Sequence, residues 1–394
     1  MMVAFEPKAW QQSSPTERRS AASSSTLFLS VLFLTLPAVN CGGGGSAMSQ
    51  PPPPTPTFTT IDAAGAGAGS LQGTLGIAIN AGGDVTGIYI DSNNVVHGFL
   101  KESTGSELSI DAPGAGTQQE AGTEAAGINA SGEIAGFFFD TQGLEHSFVR
   151  GSDGTITAFD PFFGGGSGAQ SINDSGTVAG GFVDANGAHG YLRAPDGTFT
   201  TFDPTGDPAQ VQIVVPNQIN ASGTAAGTYV DTNGVFHGFL RTSDGTITVV
   251  DAPGAGTIAN EGTELTDINA GGVIVGGINV GIVDGVNTTH SFILAADGTY
   301  TMFDPPQSGA HSSLAEGIND GGVVVGTYRD ANLVRHGYLR QPDGTFVSFD
   351  DPNAAPLPLS TENIGTTPHR INASGTVVGV YSDANGARHA FVMQ

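Results

Sequence analysis

Positive charge is scarce in this chain. Of 394 residues only 12 are Lys or Arg, against 37 Asp or Glu, which gives a formal net charge of −25. A surface of that sign repels phosphate, so nucleic acid is excluded as a partner and attraction to anionic headgroups is absent. Cations and neutral glycans stay open. Cysteine is nearly missing too: Cys41 stands alone, so no intrachain disulfide can form. The apolar run from Leu27 to Val39 is broken by Ser30, Thr35 and Pro37 and is too short to span a bilayer comfortably. No nucleophile elbow, phosphate-cradling loop or zinc motif occurs. What the chain has in abundance is glycine, 60 residues, held at fixed slots of a repeat.

The repeat reads Ile-Asn, a Gly turn, Val-x-Gly-x-Tyr-x-Asp, His-Gly-Phe-Leu-Arg, then Asp-Gly-Thr-x-Thr-x-Phe-Asp. Its Asn recurs at Asn80, Asn129, Asn173, Asn220, Asn269, Asn319 and Asn372, a period of 44 to 53 residues. Such a period with only strand and turn signals predicts an all-β, seven-bladed β-propeller of four-stranded blades over 58–394. The last repeat stops after its third strand, and Phe58 to Asp62 matches the missing fourth. Pairing of 58–62 with the last repeat is therefore expected to close the ring.

Asp-Gly pairs such as Asp153-Gly154 predict two-residue hairpins that place Ser152 opposite Thr155 and Phe148 opposite Phe159. The same offset pairs Tyr191 with Phe202, Phe239 with Val250, Phe292 with Phe303 and Tyr338 with Phe349. Every second strand carries a central glycine, Gly136 and Gly180 among them, so a large group should cover it. An aromatic of the adjacent blade is expected there.

Each repeat also carries a His at the start of its third strand and two Asp at the same sheet edge, as in His146, Asp140 and Asp160. Copied around a ring, they read as a hydrogen-bond network tying strands rather than as a metal or acid/base site. The loops Asp184-Ala185-Asn186-Gly187, Asp231-Thr232-Asn233-Gly234 and Asp383-Ala384-Asn385-Gly386 share part of a calcium-loop pattern but lack its distant Glu. Turn chemistry explains them, so no cofactor is expected, with calcium as the alternative.

A single site should lie where the repeat breaks, in loops leading to the first strands. Glu120, Glu124, Glu261 and Glu264 sit in two such segments, and His311, Glu316, Glu362 and His369 in two more. They are the candidate ligand-binding residues, since carboxylates at a channel mouth suit a sugar, a cation or acid/base chemistry. No catalytic residue is assigned.

Residues 1–41 look like a signal peptide: Arg18 and Arg19 precede the apolar run, and Cys41 follows it. A Gly/Pro-rich linker occupies 42–57. Leu36-Pro37-Ala38-Val39-Asn40-Cys41-Gly42 resembles a bacterial lipoprotein signal, which implies lipidation of Cys41 and a membrane anchor. A plain secretory signal is the alternative. The Gly-Ile-Asn, Gly-x-Tyr-x-Asp and His-Gly-Phe-Leu-Arg blocks, with His389-Ala390-Phe391 in the last copy, resemble the bacterial HAF-type extracellular repeat. That resemblance spans Phe58 to Gln394 and implies an exported, extracytoplasmic propeller with no established activity. The functional expectation is a monomeric, non-enzymatic binding or scaffold module for a glycan or surface protein. The alternatives are a carbohydrate-active hydrolase or lyase using the loop carboxylates, and a purely structural surface protein.

Overall fold

The computed structural model describes residues 56–162, 164–283, 286–308, 312–355 and 365–394. The signal segment 1–41 with Cys41, linker residues 42–55, His311 and Glu362 lie outside the described residues. The chain forms an all-β, propeller-like array of antiparallel four-stranded units. In the second repeat these are Gly122–Ile128, Ile134–Phe139, Glu145–Arg150 and Ile156–Phe159. Phe58–Ile61 runs antiparallel to Arg388–Met393, with Phe58 opposite Met393 and Ile61 opposite Ala390. It thus takes the fourth-strand place in the last repeat.

The hairpins between third and fourth strands differ from the two-residue expectation. Gly151 N–H bonds to Thr155 O at 2.9 Å, so the loop is Ser152-Asp153-Gly154. Gly154 alone takes a positive φ, +88°, whereas a two-residue turn needs it at both central positions. Asp153 instead accepts from Thr155 N–H at 2.9 Å. The extra loop residue slips the register by one. Phe148 faces Ala158, and Ser147 faces Phe159. Likewise Tyr191 faces Thr201, Phe239 faces Val249, Phe292 faces Met302 and Tyr338 faces Ser348.

That slip explains the small residue in His-Gly-Phe. Gly190 lies opposite Phe202 and Gly337 opposite Phe349, and a Cβ on either would enter the ring. It also corrects the source of the cover over the second-strand glycines. Gly136 pairs with Phe148, Gly180 with Tyr191 and Gly379 with Phe391, all within one repeat. These rings are fully buried, each laid over bare backbone on the neighbouring strand. An adjacent repeat is not needed to supply them.

Neighbouring repeats are tied by the recurrent asparagine. Each Nδ2 donates to the backbone carbonyl of the next Asn in the series: Asn80 to Asn129 at 3.2 Å, Asn129 to Asn173 at 3.2 Å and Asn173 to Asn220 at 3.1 Å. The series continues from Asn220 through Asn269 and Asn319 to Asn372, and Asn372 donates to Asn80 O at 3.1 Å. Meanwhile the Asn220 Oδ1 organises its own turn, accepting from Ser222 N–H, Ser222 Oγ–H and Thr224 N–H at 2.7–3.1 Å.

One side chain therefore makes a turn and joins two repeats. Asn220→Ala is expected to cost about 2–4 kcal/mol, since several buried hydrogen bonds go at once. Asn186→Ala, at an exposed turn, should cost about 0.5 kcal/mol or less. Urea unfolding of both variants checks this; equal effects would refute the role given to the Asn series.

Candidate functional site at the centre of the repeats

The first strands of successive repeats pack against each other around the centre. Each carries a bulge, shown by register shifts such as those between Ala315 and Gly317 and between Pro368 and Arg370. A bulge re-aims its extra residue. Thr266 Oγ1 thereby donates to Ala315 O at 2.7 Å, and Asn217 Nδ2 to Leu265 O at 2.7 Å, each crossing to the next repeat. His369 Nδ1–H does the same to Gly76 O at 2.7 Å, which leaves Nε2 with the lone pair.

Glu124, Glu264, Glu316 and His369 therefore belong to first strands, not to the loops in which they were expected. Two of them, Glu264 and His369, lie within electrostatic reach of Glu316. Burial raises the Glu264 pKa and Glu316 adds to it. Burial also pushes His369 down, against the opposing pull of Glu316, so its imidazole is held neutral. Arg335 responds to the same carboxylate: burial lowers it to about 10, with Arg329 adding and Glu316 opposing. Glu316 is the hub of this cluster.

Glu124 stands apart. Burial raises its pKa to about 8, with Glu145 adding to the shift. Burial raises Glu145 to about 7, opposed by His146 and reinforced by Asp160. Sequence reading missed Glu145, although no other repeat has an acid immediately before its third-strand His. Glu120 and Glu261 remain in loops. The backbone of Glu120 is left-handed, φ +64°, and its N–H bonds to Asn94 O at 2.8 Å. Glu261 turns back on its own loop, accepting from Thr257 N–H at 3.1 Å and Ile258 N–H at 3.4 Å.

A cavity of about 260 Å³ opens at the Asn end of the centre, lined in part by Ser171, Gln218, Asp267 and Arg370. These polar groups were also missed, but Arg370 has a plain signal: it is the only Lys or Arg in any first strand. Its guanidinium crosses the centre. Nη1 donates to Glu316 O at 2.8 Å and His369 O at 2.9 Å, and Nη2 to Thr266 O at 3.4 Å. With its amide oxygen turned inward, Gln218 accepts from Nε at 2.9 Å and Nη2 at 2.8 Å. Asp267 accepts from Ile268 N–H at 2.8 Å and Ile318 N–H at 2.9 Å. Burial raises its pKa and Arg370 opposes the rise. Ser171, only 1% exposed, has no partner for its Oγ among the described residues.

The recurrent His and Asp form the strand-tying network. His Nδ1 meets the Asp after the fourth strand at 2.6–2.8 Å, from His97–Asp111 through His336–Asp350 to His389–Asp62. His189 is held on both sides, with Nε2 3.0 Å from Asp184. Asp231 and Asp383 are occupied by their own turns, accepting from Asn233 and Val235 N–H and from Asn385 and Ala387 N–H respectively. Among the described residues no group of three or more His, Cys, Asp or Glu is placed to hold a metal ion.

Neither a protein-family model nor a curated protein matches the sequence. Solved structures do match the fold. Virginiamycin B lyase from Staphylococcus aureus superposes with a TM-score of 0.52 at 12% identity, over 86% of this chain and 100% of that one. The β-propeller domain of the Trilobed protease from Pyrococcus furiosus gives 0.51 at 10% identity, over 81% and 94%. The fold is that of β-propellers. The BP39L lectin from Burkholderia pseudomallei gives 0.50 at 10% identity, over 80% and 94%. At these identities the likeness concerns architecture alone.

The buried acids carry a pH dependence. Glu124 has an ordinary pKa of 4.5 and a folded value of about 8, so the folded state holds the extra proton between them. Stability from this group is complete below 4.5 and is lost as pH rises through about 8. His189 and His336, both raised from 6.5, lose stability in the same direction at higher pH. Glu124→Gln is expected to be more stable than the parent at pH 8 by on the order of 3 kcal/mol and nearly equal at pH 4.5. Denaturant unfolding at the two pH values tests this, and a pH-independent difference would contradict it.

Proposed function

We propose that this is an exported protein of HAF-repeat type, a seven-bladed propeller completed by residues 58–62, that binds a glycan without transforming it. Export rests on the signal-like N-terminus, with a lipid anchor at Cys41 as one mode of retention. Seven blades and closure are supported by the Asn series returning to Asn80 and by the pairing of Phe58–Ile61 with the last repeat. The observation that carries binding is the central cavity with polar groups from separate repeats on its wall. A lectin shares the architecture, which makes such use of the fold reasonable. The acidic surface favours a neutral partner.

The test is a glycan array probed with the full chain, with and without calcium. A specific, calcium-independent signal is expected, because the Asp-x-Asn-Gly carboxylates are engaged in their own turns. A blank array would remove glycans and leave a surface protein as the partner. Loss of signal on chelation would restore calcium to the site.

A second reading, an extracytoplasmic hydrolase or lyase, draws on Glu264, Glu316 and the neutral His369. An acid whose pKa burial raises and an uncharged imidazole, both within electrostatic reach of Glu316, are an acid/base set in kind. On this reading, Glu316→Gln lowers turnover of the array ligand at least about 100-fold while binding persists. Product analysis of the parent decides, since a ligand recovered intact rules the enzyme out.

A further inference from the structure

The cavity wall divides by chemistry. Directly after their bulges the seven first strands carry Ala78, Gly127, Ser171, Gln218, Asp267, Gly317 and Arg370. Ala78 and Gly127 leave one side bare, while Ser171, Gln218 and Asp267 stand on three consecutive repeats. Arg370 looks like an anion receptor but is not free to act as one. Its five N–H groups are matched by Glu316 O, His369 O, Thr266 O and the twice-accepting Gln218 oxygen. That arrangement commits the Gln218 oxygen inward and leaves its NH₂ to donate elsewhere.

Two groups therefore remain for a ligand. Ser171 Oγ, although unpartnered among the described residues, is fully buried and presents no surface to the cavity. The Gln218 amide nitrogen donates. Each Asp267 oxygen already accepts one backbone N–H and keeps further acceptor capacity. A donor and a carboxylate acceptor on consecutive repeats complement two adjacent hydroxyl groups, each of which donates and accepts. The carboxylate has no such complement in an anionic ligand. Ile79, Ile128 and Ile172 border the same space and offer apolar contact to C–H faces. At about 260 Å³ the cavity falls below the roughly 300–1,000 Å³ of drug-sized pockets, which fits one ring rather than a chain.

We infer that Gln218 and Asp267 form a subsite for the vicinal hydroxyls of a single neutral sugar ring, with Arg370 a positioning residue that orients the Gln218 amide. This rests on the glycan-binding reading and names its ligand class and its residues.

Isothermal titration of the full chain with free neutral hexoses, their single-deoxy derivatives and the matching uronic acids tests the inference. A neutral sugar should bind, and its uronic acid should bind at least about tenfold more weakly. Gln218→Glu should weaken binding about tenfold, the loss of one hydrogen bond in a buried site, whereas Ser171→Ala should leave it within about twofold. Gln218→Glu keeps an oxygen toward Arg370 while removing the donor, and thermal melting of both variants reports folding. Sugar binding unchanged in folded Gln218→Glu would overturn the subsite and leave the glycan reading standing. So would a positive array when no free sugar titrates. A uronic acid binding as tightly as its neutral parent overturns the ligand class. A blank array with no titrating sugar removes both readings.

Discussion

The structure depends on an asparagine amide that does two jobs at once. Its oxygen gathers the N–H groups of the turn after each first strand, and its nitrogen reaches the carbonyl of the next Asn in the series. A buried amide is costly unless fully bonded, and here both ends are bonded. Glycine-rich strands have little side-chain surface with which to hold units together. Directed hydrogen bonds between turns supply the missing constraint, and they set the repeat-to-repeat spacing at the central end.

Within a repeat the organising contact is a ring over a glycine. The hairpin loop of three residues places each third-strand aromatic against the glycine of the second strand. Where the third strand has Ser instead of Gly, the next repeat answers with a tyrosine. Ser147 bonds Tyr191 OH at 2.8 Å and Ser291 bonds Tyr338 OH at 3.2 Å. Repeats with Gly at that slot are followed by phenylalanine, and each Ser–Tyr pair is joined by a leading Ser on the first strand of the following repeat, Ser167 and Ser313. Polar substitutions in this core thus come in bonded sets, the condition for burying them without loss.

The centre departs from that regularity. Bulges make side chains of the first strands reach across to the next repeat, and the residues found there differ from one repeat to another. Acidic and basic groups are buried together around Glu316, while Arg370 spans the centre and is satisfied by backbone oxygens and one amide. A charge held this way is structural. On the proposed reading, binding falls to groups left uncommitted at the cavity, such as the Gln218 amide nitrogen, rather than to the prominent arginine.

By itself the sequence determined the repeat, the strand succession, the Asn turns, the His–Asp edges and the place of the N-terminal strand in the last repeat. All of these are local or copied signals, and copying makes them legible. It also pointed to Glu264, Glu316 and His369, because they break the repeat. Tertiary structure decided what lies beside what. The hairpin register turned on whether Asp153 adopts a left-handed backbone, a one-residue difference that pattern cannot separate. Residues expected in loops belong to first strands, with Glu316 and His369 at the bulge positions. Ser171, Gln218, Asp267 and Arg370 lie far apart in the chain, and only the packing of first strands against one another sets them around one cavity. Periodicity encodes a repeat's own contacts, whereas a site shared between repeats exists only once they are assembled.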